Sequence, residues 1–95
     1  MATYVILSKI AHGAYCEPKE FKKLAVMVSE KIHKECPGVT WKASYAAMGR
    51  FDVIDVVECD NPADIERAAM IIRAYGNATT ETMTATPWKE FLARL

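Results

Sequence analysis

The sequence has no surplus of charge of either sign and no long hydrophobic run. Its 95 residues include 12 basic and 12 acidic side chains, so the formal net charge is zero. Nucleic-acid-binding proteins usually need a basic surplus to neutralise phosphates, and we therefore predict no nucleic-acid partner. The apolar stretch that begins at Tyr4 is too short for a membrane span or for the core of a secretory signal, which predicts no membrane association.

Motifs for metals and nucleotides are missing as well. The three cysteines, Cys16, Cys36 and Cys59, cannot all pair within one chain, which predicts free thiols and a reducing, cytoplasmic setting. No set of His and Cys residues has the spacing of a zinc site, and there is neither a G-x-G-x-x-G motif nor a P-loop. We therefore predict that the protein uses no metal and no cofactor.

Hydrophobic periodicity predicts alternating strands and helices. In the first helix, apolar residues recur every three to four positions and form one stripe: Phe21, Leu24, Ala25, Val28 and Ile32. The predicted strands are residues 3–9, 39–48, 52–59 and 78–86. The predicted helices are residues 17–36 and 62–75, the second capped by Asn61, followed by a short helix after residue 87.

Gly49 and Arg50 separate two strand-like stretches and predict a tight β-hairpin. Glycine at the first central position suits a two-residue type II′ turn, because φ must be positive there. With this turn, counting outward along the two strands places Ser44 opposite Asp55 and Lys42 opposite Val57.

The order βαββαβ is typical of the ferredoxin-like α+β fold, an antiparallel sheet with both long helices on one side. Right-handed crossovers place the first and third strands in the centre of the sheet and the second and fourth at its edges. We interpret residues 1–95 as one such domain. The opposite sheet face has no helix, and an uncovered apolar face predicts a homodimer or a higher homo-oligomer. The last helix adds an apolar side made by Trp88, Phe91, Leu92 and Leu95.

Two separated motifs carry a resemblance to a known family. Residues 49–58 read Gly-Arg-Phe-Asp-Val-Ile-Asp-Val-Val-Glu, and residues 76–82 read Gly-Asn-Ala-Thr-Thr-Glu-Thr. Together with the opening Tyr-Val-Ile-Leu strand, they resemble the GYD-domain family over nearly the whole chain. The resemblance implies a small fold of the dimeric α+β barrel kind. Phe51 stands where the tyrosine that names the family is usual, and Asp55 interrupts a run that resembles an unbroken Val/Ile strand in other members.

Alternation along the hairpin divides its side chains between two faces. One set carries charge only at its ends, Asp52 and Glu58. We therefore expect its other members to pack under the helices: Trp41, Ala43, Tyr45, Ile54 and Val56. The other set is expected on the helix-free face: Lys42, Ser44, Ala46, Met48, Phe51, Val53, Asp55 and Val57. This assignment predicts a pocket on the helix-free face with Asp55 inside it.

The candidate site residues combine titratable groups with the walls of that pocket. A carboxylate in an apolar strand is costly to bury without a donor or a ligand, so Asp55 is a candidate general base or ligand acceptor. His12 lies where the first strand leads into the first helix, a loop position typical of functional residues. The predicted catalytic residues are therefore His12 and Asp55, and the predicted ligand-binding residues are Tyr15, Ser44, Met48, Phe51 and Glu81.

Two classes of function are consistent with these residues. The first is a small oligomeric module that binds a small molecule or acts as a structural or regulatory subunit. The second is a cofactor-independent enzyme, isomerase or monooxygenase-like, acting on a small apolar or aromatic substrate, in which His12 or Asp55 moves a proton. Each candidate also has a structural interpretation: Asp55 as an interface acceptor, His12 as a solvated loop residue, and Glu81 as an edge-strand charge that discourages aggregation.

Overall fold

A computed structural model describes residues 1–11 and 17–95 of the chain. Within them, strands and helices follow the predicted order. The strands are β1 (Ala2–Ile10), β2 (Thr40–Ala46), β3 (Val53–Cys59) and β4 (Ala78–Ala85). The helices are α1 (Pro18–Glu35), α2 (Pro62–Gly76) and α3 (Trp88–Ala93). Both long helices begin at a proline, whose missing amide hydrogen costs nothing in the first helical turn.

The four strands form one antiparallel sheet with the order β2-β3-β1-β4. The first and third strands lie in the centre, and the second and fourth lie at the edges, which is the ferredoxin-like arrangement. The predicted α+β fold is therefore confirmed. Because β1 pairs with both β3 and β4, the start of the chain lies in the middle of the sheet and is held from both sides.

The hairpin between β2 and β3 turns about Gly49, as predicted. Gly49 has a φ of +153°, a value that residues with a side chain rarely adopt. The turn is not an ideal type II′ turn, in which this φ is about +60°. Beyond the strands proper, the amide of Ala47 donates a hydrogen bond to Asp52 O at 2.8 Å and continues the pairing towards the turn.

The register of the hairpin is as predicted near the turn and differs farther from it. Ser44 pairs with Asp55, in agreement with the prediction. A β-bulge then follows between Trp41 and Ala43, so Val57 pairs with Trp41 and the predicted pairing with Lys42 is wrong.

The core lies between the sheet and α2, with a smaller contribution from α1. Helix α2 buries five side chains: Ile65, Ala68, Ala69, Ile71 and Ile72. Helix α1, which is described along its whole length, buries only Ile32. The side chain of Asn61 caps α2 by accepting a hydrogen bond from the amide of Ala63 at 3.0 Å, and Asn77 ends the helix with a left-handed φ of 51°.

The side chains of β3 face the two sides of the sheet in the opposite sense to the prediction. Val57 is fully buried and packs in the core with Ile32 of α1 and Ile65 of α2. Asp55 is on the same side and is only 6% exposed. The predicted position of Asp55 and Val57 on the helix-free face is therefore wrong. The prediction took a charge in the middle of the strand as evidence against helix contact, but side-chain donors compensate this carboxylate and allow its burial.

The helix-free face carries apolar rows that run across the central strands. Val5 and Leu7 of β1 lie opposite Val56 and Ile54 of β3. These two β3 residues were predicted to face the helices. That assignment is wrong, because it followed from placing the charged Asp55 on the helix-free face. The two long helices pack on the other face, and α3 lies at the end of this one, where Glu90 and Arg94 line a small pocket with Thr3.

Helix α3, which is described along its whole length, buries none of its residues and lies beside one end of the sheet. Its Trp88 and Phe91 rings stack with their centroids 5.7 Å apart, which confirms that they share one side of the helix. Trp88, Phe91, Leu92 and Leu95 are all exposed. Across residues 1–11 and 17–95, we find no helix with the length and apolar character needed to cross a membrane.

Candidate functional site

A cavity of about 670 Å³ lies between α1 and the helix-covered face of the sheet. The apolar stripe predicted for α1 forms one wall: Phe21, Leu24, Ala25, Val28 and Ile32. The facing wall comes from the sheet and includes Ser8 of β1, Trp41 and Ser44 of β2, and Val53 and Asp55 of β3. Helix α1 therefore lies over the sheet without packing tightly against it. Most of its apolar stripe lines the cavity, and only Ile32 is buried.

Asp55 is the acceptor of a compact hydrogen-bond cluster in the wall of this cavity. Ser44 Oγ donates to Asp55 Oδ1 at 2.6 Å, and Trp41 Nε1 donates to the same oxygen at 3.1 Å. The indole N–H also lies 2.9 Å from Ser44 Oγ, so it is shared between two acceptors. The two donors fix the orientation of the carboxylate and leave its second oxygen, Oδ2, without a hydrogen bond from the described residues.

The β-bulge brings both donors to the side of the sheet that holds the carboxylate. Ser44 pairs directly with Asp55, so the two side chains leave the same face. Regular alternation would turn residue 41 to the other face. The extra residue between Trp41 and Ala43 returns the indole to the face of Ser44.

A second polar group in the same wall, the hydroxyl of Ser8, receives no hydrogen bond from the described residues and gives none to them. Ser8 is 3% exposed, and its Oγ has no donor or acceptor among the described residues. Ile6 pairs with Asp55 and Ser8 pairs with Val53, so Ser8 and Asp55 are diagonal neighbours on one face, with a backbone separation of roughly 7–8 Å. A buried hydroxyl without a partner is costly, which makes this position receptive to a ligand or a water molecule.

The charge of Asp55 has no cationic partner within the described residues. Both of its donors, Ser44 and Trp41, are neutral, and none of the ion pairs found in residues 1–11 and 17–95 includes it. Among the described residues that line the cavity, the other titratable side chain is His33, which is exposed on α1. The cavity is thus apolar with one buried anionic group.

The structure brings together two of the predicted site residues. Asp55 and Ser44 are bonded to each other and line the cavity, on the helix-covered face and not on the helix-free face as predicted. Met48 and Phe51 lie in the turn of the hairpin, and Glu81 is exposed on β4; none of these three is among the described residues that line the cavity. Their ligand-binding roles, and the catalytic role of Asp55, stay predictions.

His12 and Tyr15 lie outside the described residues, in the segment that joins β1 to α1. Their predicted catalytic and ligand-binding roles are neither supported nor contradicted by the geometry. They stay predictions from the sequence.

Sequence reasoning misses Ser8 and Trp41 as members of the site. The signal for Ser8 is a polar residue directly after the apolar run that ends at Leu7, the same kind of interruption that singles out Asp55. The placement of Trp41 beside the carboxylate depends on the β-bulge, which hydrophobic alternation alone does not reveal.

Cys36 and Cys59 are free and lie in the core, away from the cavity wall. Burial raises the pKa of the Cys36 thiol above its ordinary value, against the opposing positive charge of Arg67. The Sγ of Cys59 lies 3.3 Å from Asn61 O. A buried, protonated thiol is a poor nucleophile, and the described contacts of Cys36 are those of a core side chain.

Solved structures similar to this chain have the same fold. FFRP-DM1 is 31% identical, with a TM-score of 0.57 over 90% of this chain and 100% of that chain. The protein PHS023 from Pyrococcus horikoshii is 30% identical, with a TM-score of 0.55 over 92% of each chain. The leucine response regulatory protein LrpA of Mycobacterium tuberculosis shares the fold at 12% identity, with a TM-score of 0.61 over 90% of this chain and 51% of that chain.

A curated relative and a family model cover almost the full length of the sequence. The chain is 29% identical over 99 residues to the glutamine synthetase and cystathionine beta-lyase binding protein of Thermus thermophilus, covering 100% of this chain and 99% of the relative. The family model of the GYD domain matches residues 4–95. The chain therefore belongs to the GYD domain family, as its two motifs predict.

Proposed function

We propose that this protein is a small, self-associating binding module that holds a small molecule between α1 and the sheet and acts as a regulatory or structural subunit. The observation that carries the proposal is the buried Asp55 carboxylate, which shares an apolar cavity with the unpartnered Ser8 hydroxyl. The cavity, at about 670 Å³, lies within the range of roughly 300–1,000 Å³ that small-molecule sites occupy. Apolar walls with a few polar groups are typical of such sites, because the walls bind the ligand and the polar groups orient it.

The regulatory part of the proposal is supported by the likeness to a protein-binding protein. The name of the Thermus thermophilus relative states that it binds glutamine synthetase and cystathionine beta-lyase. We infer a protein partner for this chain too. Helix α3 offers a surface for it, since its stacked Trp88 and Phe91 rings are both exposed.

Self-association is proposed for the helix-free face of the sheet. The cross-strand rows of Val5 with Val56 and of Leu7 with Ile54 make this face apolar at its centre. On the edge strand β4, Met83 extends the row of Val5 and is 44% exposed. Removing such a face from water stabilises an assembly, so a second copy of the chain is the proposed occupant.

A cofactor-independent enzyme is the second candidate, and one observation favours it. The hydrogen bonds that Asp55 accepts from described residues both end at Oδ1, which leaves Oδ2 to accept a proton from a molecule in the cavity. An isomerase-like or monooxygenase-like reaction on a small apolar or aromatic substrate would use that oxygen. If Asp55→Asn abolishes turnover of a bound substrate and leaves its binding measurable, the enzyme is supported; a bound molecule that is never converted supports the binding module.

A matched pair of bulky substitutions on α1 tests the ligand site. Ala25 lines the cavity, whereas its neighbour Val26 is 50% exposed and is not among the lining residues. Small molecules that raise the melting temperature of the wild-type protein are first identified in a fragment screen, since ligands of the folded state stabilise it by mass action. Ala25→Phe should fill the cavity and abolish the shift, and Val26→Phe should preserve it. A shift that survives Ala25→Phe, or a screen without any stabilising molecule, contradicts the proposal.

A further inference from the structure

Building on the proposed function, we infer the class of ligand: a small molecule with an apolar body and a protonated primary amine, whose ammonium group lies between Asp55 and Ser8. The juxtaposition that leads to this inference is a buried carboxylate without a cationic partner among the described residues, beside a buried hydroxyl to which those residues offer no hydrogen bond, in one apolar cavity. Among the described residues, Ser8 Oγ is the buried side-chain polar atom without a hydrogen-bond partner, and it lies in the cavity wall.

The charge of Asp55 favours an ammonium group. Asp55 is 6% exposed, and the two side chains that donate to it are neutral. Taking a carboxylate out of water is costly unless an opposite charge or further donors compensate it. The other titratable residue of the described cavity wall, His33, is exposed on α1 and forms no ion pair with Asp55 in the described structure. A cationic ligand would supply the missing charge.

The hydrogen-bond acceptors in the cavity wall also favour an ammonium group. An ammonium group has three N–H donors and no acceptor, and both Asp55 Oδ2 and Ser8 Oγ can accept. The two residues are diagonal cross-strand neighbours at a backbone separation of roughly 7–8 Å, so a group seated between them can reach both side chains at hydrogen-bond distance. Both of these polar groups would then be satisfied by one ligand nitrogen.

Other head groups fit this site less well. A carboxylate would be repelled by Asp55, and an alcohol would leave the buried charge uncompensated. A metal ion would need several ligands, and the described residues include no group of three or more His, Cys, Asp or Glu side chains that could hold one. The organic ammonium is therefore the head group that the described residues favour.

The body of the ligand is set by the opposite wall. Leu24 and Val28 of α1 face the sheet residue Val53 across the cavity, and these walls suit an aromatic ring or a short branched alkyl chain. A molecule with both features has an amine at one end and a compact apolar group at the other.

Three matched probes test the inference by isothermal titration calorimetry near neutral pH: phenethylamine, 2-phenylethanol and 3-phenylpropanoate. They share the phenyl ring and differ in head group. Phenethylamine should bind about tenfold or more tightly than the alcohol, because a charge-assisted hydrogen bond replaces a neutral one, and the carboxylate should not bind. Asp55→Asn keeps an acceptor for Ser44 and Trp41 and should reduce the affinity for the amine to that for the alcohol. Ser8→Ala should weaken amine binding several-fold.

The outcomes separate this inference from the proposed function. Equal affinities for the amine and the alcohol, both lost in Ala25→Phe, overturn the ammonium inference and leave the cavity as a ligand site. Failure of all three probes to bind the wild-type protein contradicts the ligand class, and the fragment screen with Ala25→Phe then decides the proposed function separately. If Asp55→Asn does not fold, Ser8→Ala decides, and unchanged affinity for phenethylamine in that variant overturns the inference.

Discussion

Ser44 lies directly opposite Asp55 on the neighbouring strand and donates a hydrogen bond of 2.6 Å to its Oδ1. Trp41 reaches the same oxygen from the same strand, across a β-bulge. The buried carboxylate is therefore held by two side chains of β2, which is an edge strand of the sheet. This arrangement links the pairing of the hairpin to the geometry of the cavity, because any slip of β2 removes both donors at once.

The contribution of the Ser44 hydrogen bond can be measured by substitution. Ser44→Ala should lower the free energy of unfolding by about 1.5–2 kcal/mol, the lower part of the range for bonds to a charged group, since Ser44 itself is exposed. Thr79→Ala is the control, because the Thr79 hydroxyl makes a long, exposed bond of 3.5 Å to Lys9 O. Its effect should stay within about 0.5 kcal/mol in urea denaturation. Equal losses in the two variants would contradict a special role for the bond to Asp55.

Two glycines should respond in opposite directions to the same substitution. Gly49→Ala should destabilise the protein by on the order of 1–3 kcal/mol, because a φ of +153° is strained for any residue with a Cβ. A steric clash is not the cause, since an added Cβ would have no atom within 4 Å beyond the neighbouring residues. Gly76→Ala should be neutral or stabilising by up to about 1 kcal/mol. Gly76 is helical, and a Cβ there meets Val28 Cγ2 at an ordinary contact distance of 3.7 Å.

The measurement is the melting temperature of three proteins in thermal unfolding: the wild type, Gly49→Ala and Gly76→Ala. If Gly49→Ala has the same melting temperature as the wild-type protein, the turn does not hold this φ in solution. A large loss in Gly76→Ala would mean that α2 ends before residue 76.

The fold and part of the site could be predicted because they depend on local pattern. The stripe of α1 follows from helical periodicity, and the pairing of Ser44 with Asp55 follows from the glycine turn. The side of the sheet that Asp55 faces could not be obtained in this way, since a period of two separates the faces of a strand without saying which one the helices cover. Both faces of β3 are mainly apolar, and contacts of Val57 with the helices decide between them.

The cavity depends on features with no local signature. Its depth is set by the distance at which α1 stands from the sheet, which no periodicity encodes. The approach of Trp41 to Asp55 needs the β-bulge. Whether the Ser8 hydroxyl finds a hydrogen-bond partner depends on the groups that the folded chain brings around it.

The thiol of Cys36 should make stability fall at alkaline pH. Burial raises its pKa in the folded protein, so between the unfolded and the folded pKa the folded state binds more protons than the unfolded state. The stability contributed by the protonated thiol is complete below the unfolded pKa, about 8.5, and is lost as pH rises through the folded pKa. Urea denaturation from pH 7.5 upwards should show a shallower decline in Cys36→Ala than in the wild-type protein. Parallel curves would contradict this assignment.

Self-association should depend on the helix-free face. The wild-type protein should sediment as a dimer or a larger assembly at micromolar concentration. Val56→Lys places a charge in the centre of that face and should shift the protein to monomer without loss of secondary structure. Met70→Lys is the control, because Met70 is 54% exposed on α2, on the other side of the molecule from this face. A wild-type monomer, or dissociation by both substitutions, would contradict the assigned interface.

The claim that small molecules bind between α1 and the sheet can be checked by an NMR titration with phenethylamine that follows the indole N–H signals. The chain has two tryptophans: Trp41 lies in the cavity wall and donates to Asp55, and Trp88 is 69% exposed on α3. We predict that the Trp41 signal shifts and saturates, that the Trp88 signal stays in place, and that Ala25→Phe abolishes the change. A Trp41 signal that does not move at saturating probe, or one that still shifts in Ala25→Phe, would contradict the claim.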